Sequence, residues 1–144
     1  MPSLAELLAA EADAVSAFVF LLHEEQEALT AGNADALPGI VERKTTAAAN
    51  LAPISSARNA ELARLTRHRD REGMDAWLAS HPQERAASDA WQRLQALATE
   101  AREINRVNGE LIRLRMSHNA QMLEVLLAAN RQDLYGADGQ ASAS

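Results

Sequence analysis

Apolar residues recur at intervals of three and four along most of this chain, which is the spacing of one face of an α-helix. The first such pattern extends from Leu4 to Leu29. Ser3 and Glu6 form a capping-box pair at its start, and Gly32 follows it at a position suited to a left-handed C-cap. These signals predict one amphipathic helix of about 28 residues.

A second helical pattern begins near Asp35 and is interrupted by Pro53. An interior proline removes one backbone hydrogen bond and clashes with the preceding turn, so we expect a kink or a break near Ala52. The pattern ends in a polar segment, residues 67–73, which has no apolar residue before Gly73. Residues 74–78 then predict a short helical turn.

The longest helical pattern extends from Gln83 to about Asp133. At 1.5 Å per residue such a helix is on the order of 70 Å long if straight, so the first two helices can cover only part of it. The pair Asn108-Gly109 lies inside this pattern without changing its phase. A glycine in a helix interior costs roughly 1 kcal/mol relative to alanine. Close approach of another backbone, a soft point or a partner surface would each account for it.

The order of these patterns predicts an all-α protein. We expect an elongated antiparallel three-helix bundle or coiled coil, with a short extra helix before the last long helix. Residues 1–135 form a single helical domain in this prediction, and residues 136–144 form a flexible C-terminal tail. A structural coiled-coil oligomer would need heptads kept over many turns, and Pro53 and Asn108-Gly109 argue against that.

Composition narrows the class of protein. The chain has 144 residues, enough for one domain, and its hydrophobic content is 47% although aromatic residues are only 3%. It has no cysteine, which fits the cytoplasm and excludes disulfides and thiolate chemistry. A net charge of −6 argues against a nucleic-acid partner. No uninterrupted apolar stretch reaches about 18 residues, so we predict no membrane insertion.

Charge is unevenly distributed along the chain. Eight acidic residues precede the first basic residue, Arg43, and from Arg43 to Arg71 seven basic residues stand against two acidic ones. An acidic first helix that lies beside a basic second helix accounts for this asymmetry. An acidic patch for a basic partner is the alternative.

No motif for catalysis or cofactor binding is found. None of the four histidines has a glutamate three residues before it, as the di-iron sites of four-helix proteins require. The pair His23 and Glu27, at i and i+4, fits a surface ion pair better than a metal site. The sequence has no Gly-rich phosphate loop and no Gly-x-Ser-x-Gly motif. We therefore predict no catalytic residue, no cofactor and no metal.

Five segments follow one another in an order that is typical of one family. They are Leu21–Leu29, Asp35–Lys44, Arg58 with Leu62, Asn105–Ile112 and Leu134–Gly139. The most specific is Asn105–Ile112, which is similar to an Asn-x-x-Asn-Gly-x-Leu-Ile signature, and Leu134–Gly139 is similar to a terminal Tyr-Gly-x-x-Gly motif. On these segments the chain resembles the FlgN family, the flagellar type III export chaperones for the hook–filament junction proteins.

The resemblance implies a cytoplasmic helical chaperone. It would bind the helical C-terminal segments of two hook-associated junction proteins, prevent their premature assembly and deliver them to the export gate. In the family, a tyrosine near the C-terminus is implicated in docking to the cytoplasmic domain of the export-gate membrane protein, and Tyr135 matches it. Asn105, Asn108 and Gly109 match the structural signature.

The C-terminal part of the last helix binds the client in that family, and its apolar residues here fit this role. They are too many for one narrow helix face, so part of them would suit an amphipathic helix from a client. We predict as client-binding residues Met122, Leu123, Val125, Leu126, Leu127 and Leu134. Burial inside the chain or in a homodimer is the alternative for this surface. A helical adaptor or self-associating coiled-coil protein of another secretion system is the alternative function.

Overall fold

The structure, a computed structural model, describes residues 2–67 and 70–137, without the side chains of 122, 123, 126 and 129–137. Over these residues it contains helices and no strand, so the predicted all-α bundle is confirmed. The elements are α1 Leu4–Ala31, a 3-10 turn Ala34–Ala36, α2 Leu37–Thr66, α3 Arg71–Ser80 and α4 Arg85–Ala137. The chain divides into two compact units, Met1–Asn108 and Gly109–Ser144, which are described separately.

The two ends of α1 follow from its capping residues. The backbone N–H of Glu6 donates to Ser3 Oγ at 3.2 Å, and the Ser3 hydroxyl donates to the Glu6 carboxylate at 3.2 Å. Gly32 has a φ of 71°, in the left-handed region that a residue with a side chain rarely adopts. The predicted helix of about 28 residues is therefore confirmed, because α1 has 28.

Helix α2 is continuous through Pro53, so of the predicted kink or break near Ala52 the break is wrong. Pro53 has no N–H to donate to the carbonyl oxygen of Ala49, four residues earlier. Both Pro53 and Ala49 are exposed, so water can hydrogen-bond to that carbonyl group. The lost hydrogen bond is thus not a buried one, and the helix continues past it.

Helix α3 is longer than the turn predicted over residues 74–78. Its N-cap is Asp70, whose carboxylate accepts a hydrogen bond from the Gly73 N–H at 2.8 Å. Because Asp70 satisfies this free donor, the helix begins at Arg71, inside the polar segment in which the second helical pattern ends. Trp91 of α4 donates from its indole Nε1 to Asp75 at 2.9 Å and so connects α3 to α4.

Ion pairs show that α1 and α2 run antiparallel. Arg58 Nε donates to Glu11 at 2.8 Å near the start of α1, and Arg43 Nη2 donates to Glu24 at 2.8 Å near its end. Lys44 adds a third pair between the two helices. An acidic first helix beside a basic second one is therefore confirmed.

Helix α4 runs parallel to α1, because Asp13 pairs with Arg93 and His23 pairs with Glu100. His23 Nε2 lies 3.0 Å from Glu100 Oε1, so the predicted pair of His23 with Glu27 is wrong. A partner across the helix interface cannot be inferred from spacing within one helix. Within residues 2–67 and 70–137, no group of three or more histidine, aspartate or glutamate side chains could hold a metal ion.

The core of unit 1 consists mainly of aliphatic side chains, with an alanine at two of its positions. Ala12 of α1 and Ala87 of α4 have no exposed surface, which requires the helices to approach closely. The larger buried apolar residues are Leu4, Leu8, Val15, Val19, Leu22, Leu62, Met74, Trp91, Leu94 and Ile104. In the described part of the chain, no helix has the length and apolar content that are needed to cross a membrane.

The ion pair of Lys44 with the buried Glu25 should contribute far more to stability than the neighbouring, more exposed pair of Arg43 with Glu24. Lys44→Met leaves the carboxylate of Glu25, whose side chain is 5% exposed, without its cation, so unfolding should become easier by about 3–5 kcal/mol. Arg43→Met breaks the adjacent exposed pair with Glu24 and should cost less than about 1 kcal/mol. Urea unfolding followed by circular dichroism measures both. Equal losses in the two variants would contradict this assignment.

Candidate functional site

Asn108, the centre of the signature, lies at the end of unit 1 and is completely buried. Its side-chain Nδ2 donates to the carbonyl oxygen of Leu22 at 2.9 Å and to Glu25 Oε1 at 2.9 Å. Glu25 Oε1 and Oε2 also accept from Lys44 Nζ, each at 3.0 Å. One buried carboxylate therefore connects α1, α2 and α4, and we call Glu25, Lys44 and Asn108 the polar node.

The polar node fixes how α4 lies along α1. Asn108 Oδ1 is buried and has no hydrogen-bond partner among the described residues. An unsatisfied buried acceptor costs about 1–3 kcal/mol, and this cost accompanies the two hydrogen bonds that the same amide donates. What the asparagine supplies is direction, because its two donor contacts exist in one register of α4 only.

The other two signature residues have different environments. Asn105 is exposed. A Cβ atom added to Gly109 would meet only Arg113 Nη1, at 3.9 Å, which is ordinary van der Waals distance. Close approach of another backbone therefore does not explain Gly109 in the described structure. A soft point and a partner surface remain as the explanations.

Unit 2, which begins at Gly109, contains exposed large apolar side chains. Leu114, Met116 and Val125 are 66%, 65% and 64% exposed, and Ile112 is 39% exposed. Leu114 and Val125 belong to the stripe of three- and four-residue spacing that runs along α4. Exposed aliphatic side chains on one face of a helix are typical of a surface that contacts another helix.

Charged residues of both signs accompany these apolar side chains. Leu114 lines a shallow depression together with Glu110, Arg113 and Ser117. Just before unit 2, Arg106 donates to Glu103 at 2.6 Å, and this hydrogen bond holds the pKa of the Glu103 carboxyl below its usual value. Charged side chains of both signs therefore lie beside the apolar stripe on the surface of α4.

The predicted client-binding residues fall in the last part of α4, where the structure describes few side chains. Val125 is exposed and Leu127 is half-buried. The remaining residues lie outside the described side chains, and their roles stay predictions: Met122, Leu123, Leu126, Leu134 and the docking residue Tyr135. Leu114 and Met116 were not in the predicted set. The stripe that contains Leu114 could have indicated it, because the pattern continues without interruption from there to Val125.

Replacing Gly109 tests whether it is a soft point. Gly109→Ala should stabilise the surrounding helix by about 1 kcal/mol, because alanine loses less backbone entropy and its methyl group meets no close neighbour. Amide hydrogen exchange in residues 106–113 should then slow by about fivefold. Gly39→Ala in α2 is the matched control, because no atom lies within 4 Å of the added Cβ. It should leave amide exchange in residues 106–113 unchanged. Unchanged exchange in Gly109→Ala would exclude a soft point.

Comparison with known proteins agrees with the sequence signature. A family model described as FlgN protein matches residues 1–143. The chain is 33% identical over 120 residues to the flagella synthesis protein FlgN of Yersinia enterocolitica, which covers 82% of this chain and 75% of that protein. It is 29% identical over 146 residues to the flagella synthesis protein FlgN of Salmonella typhimurium, covering 100% of this chain and 94% of that protein. No solved structure matches the chain. The match over nearly the whole length shows that this chain belongs to the FlgN family.

Proposed function

We propose that this protein is a cytoplasmic export chaperone of the bacterial flagellum. It binds helical C-terminal segments of the hook-associated junction proteins, prevents their premature assembly and delivers them to the type III export gate. Family membership supports a role in flagellum synthesis, since the curated relatives carry that function in their names. It acts by binding, without a catalytic residue or a cofactor.

The exposed apolar side chains of unit 2 carry this proposal. Leu114, Met116 and Val125 each leave about two thirds of their surface to solvent. Leu114 and Val125 lie on one face of α4, and a client helix that covers this face would remove their apolar surface from water, at about 25 cal/mol for each Å². The same client segments would otherwise be free to pair with one another. A binding mode in which helix lies on helix thus accounts for both capture and protection.

The composition of this surface suits more than one client. Glu110 and Arg113 beside Leu114 offer contacts to polar residues of either charge at the edge of a client helix. These features support binding of two related junction proteins by one face.

Val125→Asp tests the surface directly. A charge placed under a client helix would lose its hydration without gaining a partner, so affinity should fall by about 2 kcal/mol, roughly thirtyfold in Kd. Phe20→Asp is the matched control, because Phe20 lies on α1 and is also 64% exposed. Isothermal titration calorimetry with a synthetic C-terminal segment of a junction protein measures both variants. Their thermal unfolding should match that of the unaltered protein.

Two outcomes would contradict the proposed site. Equal client affinity in Val125→Asp and the unaltered protein would show that this face does not bind the client. An equal loss of client affinity in Phe20→Asp would show that the effect comes from the added negative charge and not from its position. Light scattering at several concentrations separates a third case, in which a second copy of the chain covers Val125 and a self-associating protein is the better description.

Tyr135 provides a separate test of export-gate docking. Tyr135→Ala should leave client affinity unchanged and weaken binding to the cytoplasmic domain of the export-gate membrane protein, because the ring matches the family's docking position. Pull-down of that domain with and without bound client measures the effect. Loss of both interactions together would indicate misfolding and would count against a docking role.

A further inference from the structure

Unit 1 contains a cleft that the proposed function does not use. It has a volume of about 320 Å³, lies between α1, α2, α3 and α4, and is lined by residues from positions 11 to 102 only. Its apolar part includes Leu51, Trp91 and Leu94, and its polar part includes three arginines, Arg58, Arg71 and Arg102. Apolar walls with a few convergent polar groups are typical of a binding site.

The first of these arginines is already neutralised. Arg58 donates from Nε and Nη2 to the buried carboxylate of Glu11, at 2.8 Å and 3.0 Å. The same carboxylate accepts from Ser55 Oγ at 2.7 Å, and the Arg58 guanidinium lies 5.8 Å from the centre of the Trp91 ring. Arg58 therefore shapes the cleft but has no free charge to offer a ligand.

The other two arginines have only neutral partners in the described part of the chain. The Gln95 amide, with its oxygen turned towards Arg71, accepts from Arg71 Nε at 2.9 Å and Nη2 at 3.2 Å. Arg102 Nη2 donates to Thr99 Oγ1 at 3.3 Å. Neither guanidinium forms an ion pair with a carboxylate of residues 2–67 or 70–137. Two positive charges thus face one cleft in a chain whose net charge is −6.

We propose that this cleft binds an acidic peptide segment of a partner protein. A carboxylate of that segment would contact Arg71 and Arg102, and an apolar side chain next to it would enter the part lined by Leu51 and Leu94. A planar guanidinium matches the geometry of a carboxylate, which favours this anion. The apolar lining favours a peptide over an inorganic anion, since an inorganic anion has no group to place there. The volume fits one or two side chains.

A short peptide titrated into the full chain tests the cleft. The probe is an acetylated leucine–glutamate dipeptide amide, and the comparison is the same dipeptide with glutamine in place of glutamate. In ¹⁵N–¹H spectra, the Trp91 indole and Gln95 amide signals should shift, and the shifts should reach a plateau as the dipeptide concentration rises. The glutamine analogue should bind at least about fivefold more weakly, because it cannot form the charge-assisted hydrogen bonds.

Matched variants identify the charges that are responsible. Arg71→Gln with Arg102→Gln should weaken dipeptide binding by about tenfold or more. Arg85→Gln with Arg93→Gln removes the same charge from exposed positions that do not line the cleft and should change it less than about twofold. Arg102→Gln alone, at an exposed position, is the variant to use if the double substitution lowers stability.

Three results would overturn the proposal. They are equal binding of the two dipeptides, equal loss in the two double variants, and competition by inorganic phosphate as strong as that by the dipeptide at equal ionic strength. The last result would indicate an anion site without selectivity for a peptide. None of them bears on client binding by unit 2, so the two proposals fail independently.

Discussion

The buried polar node is the interaction on which the rest of unit 1 depends. Glu25 is almost completely enclosed, and its carboxylate is tolerable there only because Lys44 and Asn108 satisfy it from two other helices. Leucine, valine and alanine make up most of the core, and burial of such side chains is not directional. Charge and hydrogen bonding supply the directionality that this apolar interface lacks. Glu11 and Arg58 repeat the arrangement about four turns earlier along α1.

The last helix changes its role at the signature. Up to Asn108 it belongs to the compact unit that holds the core, and from Gly109 it belongs to the second unit. The same apolar spacing runs through both parts, but Ile104 is buried whereas Leu114 is mostly exposed. The signature therefore lies at the boundary between the two compact units. Its Asn-Gly pair is unfavourable for helix propensity, and α4 is nevertheless continuous through it.

The sequence predicted correctly those features that depend only on neighbouring residues. Ser3 and Gly32 gave the ends of α1 correctly, because capping involves only neighbouring residues. Pro53 does not break α2, since the cost of an interior proline depends on whether the freed carbonyl group faces solvent. The partner of His23 and the burial of Asn108 depend on which helices meet, and spacing along one helix contains no such information. The cleft with Arg71 and Arg102 was likewise not predicted, because its residues come from four helices.

Lys44 is the only lysine in the sequence, and it is held in the polar node with 19% of its side chain exposed. Reagents that acylate side-chain amines therefore have a single target, and that target is engaged by a carboxylate while α1 and α2 are in contact. The amine becomes more accessible when the two helices separate and the ion pair with Glu25 breaks. Its rate of acylation thus measures the opening of one defined interface, with no label to introduce and no other side chain to mask the signal.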